Sequence, residues 1–350
     1  MVSLQSEDYY HLFVGSAFFS CGGGVPREKS FALMMKASIQ SPMTKLLSLD
    51  EFSPNDWLCT VYAIGASGQG NKDYGSFLLA VKHLEEHMKI RISGIIPGEI
   101  GSEINAIWTA NQKGLAIADS DMVGGRAVPE EQMDIYGLNG ISPVPVVIVN
   151  DKSDVLIVER AHDLSIMEQI YRSFAIASGG YCYIAGRPIQ KNDALSFMPS
   201  GTISRSIAAG QCILDSKTEQ QIVSGLQNLC DSRLLAKGEI TGNQVSDDPG
   251  FLSGSIRIRG SDRFNGDDFT IYYKNENVML LRNVEYMCSA PDLISVVDSK
   301  SIIPVANSSL REGMKVLVFG TPALPMWRTE RGIALLGPKQ FGFDYDYSPL

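Results

Sequence analysis

Cysteine, histidine and tryptophan are scarce: six, four and three of them are spread over 350 residues. Cys21, Cys59, Cys182, Cys212, Cys230 and Cys288 never come within four positions of one another, so no CxxC pair exists. The thiols read as free side chains, mostly buried. Only His83 and His87, in VKHLEEHMK, share a helical face. Their order is H-L-E-E-H and not the H-E-x-x-H of zinc peptidases, so an exposed amphipathic face is the simpler reading. Basic clusters are missing too. Net charge is −9 and Lys and Arg form no stripe, which excludes the patch that nucleic acid or an anionic membrane surface requires. A small or uncharged ligand fits better. No apolar run reaches the roughly 18 residues that span a bilayer. The opening, MVSLQSEDYYHLF, carries acids and no basic run, so no secretory leader is expected and a cytoplasmic location is.

Nucleotide motifs are absent despite a glycine run. In FFSCGGGVPREKSF, residues 18–31, no Lys-Ser or Lys-Thr follows Gly22, Gly23 and Gly24 at P-loop spacing, because Lys29-Ser30 comes five residues after the last glycine. A dinucleotide fingerprint needs a strand before its glycines, and here a helix pattern precedes them. What remains is a glycine turn leading into a helix that Pro26 can start. Its backbone N–H groups suit an anion or a developing negative charge. Cys21 beside it is a candidate nucleophile if that setting depresses its pKa, or a buried free thiol if it does not.

Helical and strand patterns alternate over the first two-thirds of the chain. SEDYYHLFVGSAFF, PREKSFALMMKASI, KDYGSFLLAVKHLEEHM, SEINAIWTANQKG and AHDLSIMEQIYRSFAIA read as helices, with Ser6 as the first N-cap. WLCTVYAI, IRISGIIP, LAIAD and VPVVIVN read as strands. The alternation predicts an α/β part with a mostly parallel sheet. Helices in GTISRSIAAGQCILDSK and TEQQIVSGLQNLC come next, and from about residue 232 short strands between turn residues predict a small barrel or sandwich. The expected division is an α/β domain over 1–170 and a C-terminal domain over 171–350.

Ligands of open α/β sheets bind outside the carboxyl ends of the strands, so the strand-end loops are the places to seek chemistry. In IIPGEIGSEIN, Gly98 and Gly101 bracket Glu99, and Asn105 lies one helical turn on. Glu99 suits a general base or metal ligand, or simply a helix N-terminus. In IADSDMVGGRAVPEEQ, Asp119 and Asp121 end a strand, Glu130 and Glu131 follow a proline, and Arg126 stands between. Crowded carboxylates raise one another's pKa and an arginine lowers it, although a hydrated loop with an internal ion pair has the same composition. Ser200 and Thr202 stand where a helix starts. Arg187 and Arg328 are suited to grip a carboxylate.

These segments carry a resemblance. The ending GIALLGPKQFGFDYDYSPL resembles the G-P-x-x-F-G-[FY]-D-x-[DE]-Y-x-P ending of the S-methyl thiohydantoin desulfurase family. SCGGGVP, PGEIGSEIN, DSDMVGGRAVPEEQM, PSGTISRSI, NENV, PDLISVVD and WRTERGIALLGP fall in the family's order along nearly the whole chain. Two departures stand out: Cys21 occupies a position where a small residue, often glycine, is expected, and the Asp121-to-Arg126 spacing is one residue longer.

The resemblance implies an α/β part followed by a β-rich part, and an enzyme that replaces sulfur by oxygen on a thiohydantoin ring. Combined with the residue reading, it makes Glu99, Asp119, Asp121 and Glu130 the candidate acids and bases, with Cys21 the alternative nucleophile. Gly22, Gly23, Gly24, Gly98, Gly101, Asn105, Arg126, Ser200 and Thr202 are the candidate substrate contacts. A divalent metal on the carboxylates is compatible with this chemistry. The competing reading is a non-catalytic small-molecule-binding protein or an accessory subunit of a hydantoinase-like complex; the partners expected are a second copy of the chain or a hydantoinase-like protein.

Overall fold

A computed structural model describes residues 2–23, 44–65, 75–130, 132–246 and 251–350. Gly24, Glu131 and the helix expected from Pro26 lie outside the described residues. In chain order the elements of the first part are β1 (Val2–Leu4), α1 (Ser6–Phe19), β2 (Thr44–Leu47), β3 (Trp57–Gly65), α2 (Gly75–Met88), β4 (Ile92–Pro97), α3 (Glu103–Lys113), β5 (Ala116–Ala118), α4 (Ile135–Asn139), β6 (Val146–Val149), β7 (Val155–Val158), α5 (Leu164–Ala177), β8 (Tyr181–Gln190) and α6 (Lys191–Phe197). Then come α7 (Thr202–Asp215), α8 (Glu219–Cys230), β9 (Arg233–Ser246), β10 (Ser253–Gly260), β11 (Asp268–Lys274), β12 (Glu276–Arg282), β13 (Glu285–Ser289), β14 (Leu293–Asp298), β15 (Ile303–Pro304), β16 (Lys315–Thr321) and α9 (Glu330–Leu336). Among the described residues no helix is long and apolar enough to cross a membrane.

The chain divides into two compact units that interleave along the sequence. The first holds residues 1–9, 32–125 and 130–203; the second holds 10–31, 126–129 and 204–350. The first unit is built on a sheet of order β1-β2-β5-β4-β3-β8-β6-β7. Only β2-β5-β4-β3 run parallel; β8, β6 and β7 join antiparallel, as does β1. The expected mostly parallel sheet is therefore corrected to a mixed one. The reason is β8: YCYIAGRPIQ lies between helical patterns and pairs with β3 over nearly its full length.

Alternation of side chains along these strands buries both faces. On one face Tyr62, Cys182 and Ile184 pack with Met167, Tyr171 and Ala175 of α5. On the other, Tyr183 meets Phe77 of α2 edge to face, 5.1 Å between ring centroids. A buried ion pair ties this unit together: Arg187 Nε donates to Asp134 Oδ2 at 2.6 Å and Arg187 Nη1 to Tyr62 Oη at 2.7 Å. Asp134 Oδ1 meanwhile accepts from Gly137 N at 2.7 Å and caps α4. The carboxylate suited to Arg187 thus belongs to the protein itself.

The second unit carries one antiparallel sheet of order β13-β12-β11-β10-β9-β16-β14-β15. It is not the closed barrel that the short strands suggested. Ile256, Ile258, Phe269, Ile271, Val316 and Val318 form the heart of its core. β10 and β11 alternate buried and exposed positions, whereas β12, β14 and β16 are buried on both sides.

In this unit α1 and α7 touch backbone to backbone. A Cβ at Gly15 would overlap Ser206 O, and one at Gly210 would overlap His11 O. Glycine is needed here for close approach, since no side chain fits. Alanine is the better helix former by about 1 kcal/mol, so propensity alone favours Gly210→Ala. The contact reverses that sign: Gly210→Ala is expected to lower stability by about 1–3 kcal/mol or more, measured as a fall in the urea midpoint at constant m-value.

Candidate active site

At the end of α1 the chain turns sharply. Cys21 and Gly22 both have positive φ, 54° and 85°, and Gly23 N closes the turn on Ser20 O at 3.0 Å. An L-residue at Cys21 is strained in this region, which explains why a small residue or glycine is expected there. The Cys21 thiol is fully buried and donates to Phe19 O at 3.3 Å. Burial pushes its pKa up to about 11, against the pull of Arg126 and the Ile294 N–H. Of the two readings of Cys21, this burial favours the buried free thiol over a depressed thiolate, because desolvation outweighs the positive surroundings.

β12 meets this turn. The hairpin from β11 to β12 passes through Asn275, whose φ is 57°. Asn277 N donates to Cys21 O at 2.7 Å, and Asn307 N donates to Gly22 O at 2.8 Å. Glu276, buried, presses its side chain on the turn: a Cβ at Gly23 would overlap Glu276 Oε1. A Cβ at Gly22 would lie 2.5 Å from Asn307 Oδ1. So the glycines at 22 and 23 are required for close approach, and Gly22 for its φ as well. Among the described residues no backbone acceptor faces the N–H groups of Cys21 and Gly22.

Arg126 is almost wholly buried. Its Nε donates to Ala127 O at 3.1 Å and its Nη1 to Pro291 O, while Nη2 has no partner among the described residues. Glu276 Oε2, Asn277 Oδ1 and Asn307 Oδ1 are equally bare and buried. Burial raises the Glu276 carboxyl to about 8, with Arg126 pulling it down. Four unsatisfied polar atoms in one neighbourhood are costly in a folded protein, and they mark a place that expects a partner. Glu276, Asn277 and Asn307 were missed by motif reading. The signal was present in NENV, two amides around an acid at a hairpin, but nothing local ties it to a turn some 250 residues earlier.

The acids singled out in the sequence do different work. Asp121 Oδ1 accepts from Val123 N and Gly124 N at 2.8 and 2.7 Å, and Oδ2 from Gly125 N at 2.7 Å. Burial raises its carboxyl, while Thr202 and these three N–H groups lower it. Asp119 Oδ1 accepts from Ile203 N at 3.0 Å and Asp119 O from Gly201 N at 2.7 Å, so the strand end caps α7 in place of Ser200, which is exposed. Glu130 Oε2 accepts from Gln132 at 2.6 Å. In the structure both Asp119 and Asp121 anchor backbone N–H groups. Nor is the loop the hydrated one its composition allowed, since Asp121 is fully buried.

Glu99 is half-buried in the Gly98–Gly101 loop, where Glu99 O accepts from Ser102 Oγ at 3.1 Å. Asn105 follows on α3 with a buried, bare Oδ1. His83 and His87 pair with Glu86 and Glu159 on α2, at distances of 3.3 and 3.7 Å. Among the described residues no three His, Cys, Asp or Glu side chains group in a way that could hold a metal ion. Arg328 Nη2 holds the buried Asp292 at 2.7 Å, again an internal carboxylate.

A pH dependence follows from Glu276. Its folded pKa is raised by burial, so the folded state keeps a proton that the unfolded state loses. The associated stability is complete below about pH 4.5 and is lost as pH rises toward about 8. Glu276→Gln is expected to remove that part of the decline, leaving the variant relatively more stable at the alkaline end. Chemical unfolding of both proteins across this range measures it; parallel curves would place the proton elsewhere.

Comparison with known proteins places the fold and the family. No curated protein matches the chain. A crystallised protein from Chromobacterium violaceum is 20% identical, with a TM-score of 0.84 over 100% of both chains, and it shares the fold. The model of the S-Me-THD-like N-terminal domain matches residues 7–160, and that of the S-Me-THD-like C-terminal domain matches 161–350. With both halves matched end to end, the chain belongs to the S-Me-THD-like, or S-methyl thiohydantoin desulfurase, family.

Proposed function

We propose that this chain is a hydrolase of a cyclic thioamide ring of the thiohydantoin type, acting at the Cys21–Gly23 turn. The observation that carries this reading is the set of bare buried atoms: Arg126 Nη2, Glu276 Oε2, Asn277 Oδ1 and Asn307 Oδ1. A thiohydantoin offers ring N–H donors to the amide oxygens and a carbonyl oxygen to the guanidinium. The family's name supports the same ring class.

The reaction balances with water alone. The water oxygen bonds to the ring carbon that bears sulfur, and the π pair of the C=S bond moves onto sulfur. The C–S bond then breaks as the new C=O forms, and sulfur departs as hydrogen sulfide carrying both water protons. An S-alkylated ring follows the same course at its C=N carbon and releases a thiol, the ring nitrogen keeping the second proton. Glu276 suits the proton transfer: a carboxyl with a pKa raised to about 8 is protonated at neutral pH and gives its proton to the leaving sulfur. It regains one from the attacking water. Arg126 and the N–H groups of Cys21 and Gly22 stabilise the charge that develops on addition. Asp121 contributes indirectly by fixing residues 123–125, the backbone that leads directly into Arg126.

Sulfide release from 2-thiohydantoin tests the reading. Glu276→Gln is expected to lower kcat by about 10²–10⁴-fold, whereas Cys21→Ala keeps most of the activity because the thiol does not attack. Full turnover in Glu276→Gln, or binding of the ring without turnover by the native protein, would sink the assignment.

A further inference from the structure

The first unit's sheet ends on one side in β7, which pairs with β6 and, among the described strands, with nothing beyond it. An open edge invites pairing with another chain, and natural edges are guarded by a proline, a bulge or a charge within the strand. β7 has none of these: it reads VLIV, its register with β6 is unbroken, and Val155 is 38% exposed. Beside it α5 presents Ile166, Ile170 and Phe174, one stripe at a spacing of four. With Leu156, Gln169 and Ser173 they line a groove of about 370 Å³. The direction of the edge's backbone groups follows from its first bonds. Asn150 N donates to Asp154 O at 3.2 Å and Asp154 N to Asn150 Oδ1 at 2.9 Å, so Asp154 turns toward β6. With a period of two, Leu156 and Val158 do the same, and Val155, Ile157 and Glu159 turn their N–H and C=O groups outward.

We propose that β7 is the seam of a two-fold dimer, pairing antiparallel with β7 of a second copy of this chain about Ile157. Only outward-facing residues exchange backbone bonds across such a seam. Centred on Ile157, that residue meets itself and Val155 meets Glu159 on either side of the axis. The same register sets Asp154 opposite Arg160, twice, on the face that carries Leu156 and Val158. Both side chains are exposed, and Arg160 has no ion-pair partner among the described residues. A shift of two residues sets Arg160 against Lys152 in one direction and against Leu156 in the other, so charge selects the register. A second copy is the occupant because a two-fold contact requires a patch that matches itself. The run DVLIVER does so, with its first acid and its base three residues on either side of Ile157. The axis stands perpendicular to the sheet, so the α5 helices of both copies lie on one face. Their apolar stripes then face each other across the seam and cover the groove.

Light scattering of the full chain as it elutes from a sizing column, over a range of micromolar concentrations, tests the seam. A mass twice that of the chain is expected. Arg160→Asp, at an exposed side chain, sets acid against acid twice and is expected to weaken the dimer at least about tenfold. Combining it with Asp154→Arg exchanges the charges and is expected to restore the dimer. Val155→Pro removes an outward N–H and no bond to β6, so it is expected to weaken the dimer while leaving the fold intact. Ile157→Cys brings two thiols opposite each other with Cα atoms about 5.5 Å apart, and air oxidation is expected to cross-link the pair. A monomer at every concentration overturns the proposal. So does a dimer that neither Arg160→Asp nor Val155→Pro weakens, and so does a charge exchange that fails to restore what the single variant lost.

Discussion

Everything in the second unit's site depends on a turn without side chains pressed against a buried carboxyl. Gly22 and Gly23 let Asn307 and Glu276 come closer to the backbone than any Cβ would permit, and the two asparagine N–H groups hold the turn's carbonyls in place. The strain of a left-handed Cys21 is tolerated because helix α1 before it and strand β12 beside it fix both sides of the turn. Ser295 Oγ adds a further bond, to Phe18 O at 2.6 Å. Desolvation at this spot raises both the Cys21 thiol and the Glu276 carboxyl above their ordinary values.

The buried carboxylates divide by what surrounds them. Asp121 is ringed by three backbone N–H groups. Asp134 has Gly137 N and Arg187. Asp292 has Ala323 N, Leu350 N and Arg328. In each the oxygens are spent on holding loops, as expected of a buried polar group deprived of water. Glu276 differs because one oxygen abuts Gly23 and the other meets nothing.

Much of the architecture was legible in the order of residues. β3, β4, β5 and β6 and helices α1, α3, α5, α7 and α8 lie where apolar periodicity puts them. Asp163 caps α5 through Ile166 N, and Thr218 with Gln221 forms a capping box on α8. The antiparallel half of the first sheet was not legible, because strand direction depends on which partner a segment finds and not on its own pattern. The open second sheet was hidden for the same reason: short strands say nothing about whether the last one closes on the first. In the site, the glycine turn and Arg126 could be picked out, since glycine runs and lone arginines stand out in sequence. Glu276, Asn277 and Asn307 could not, since their importance lies in contacts across the fold.

Local periodicity and motif spacing were enough to establish a two-part α/β and β-rich chain without nucleotide or zinc-peptidase motifs, and enough ordered motifs were present to place the family. Those properties need no knowledge of what lies across the fold. Which acids are anchors and which is available could be known only from the folded chain, because that depends on how many N–H groups reach each oxygen. The same holds for Cys21, since a cysteine's pKa follows the water around it and not its neighbours in the chain. Folding alone brings the NEN hairpin to the glycine turn, and that meeting turns a motif of unknown purpose into the core of a candidate site.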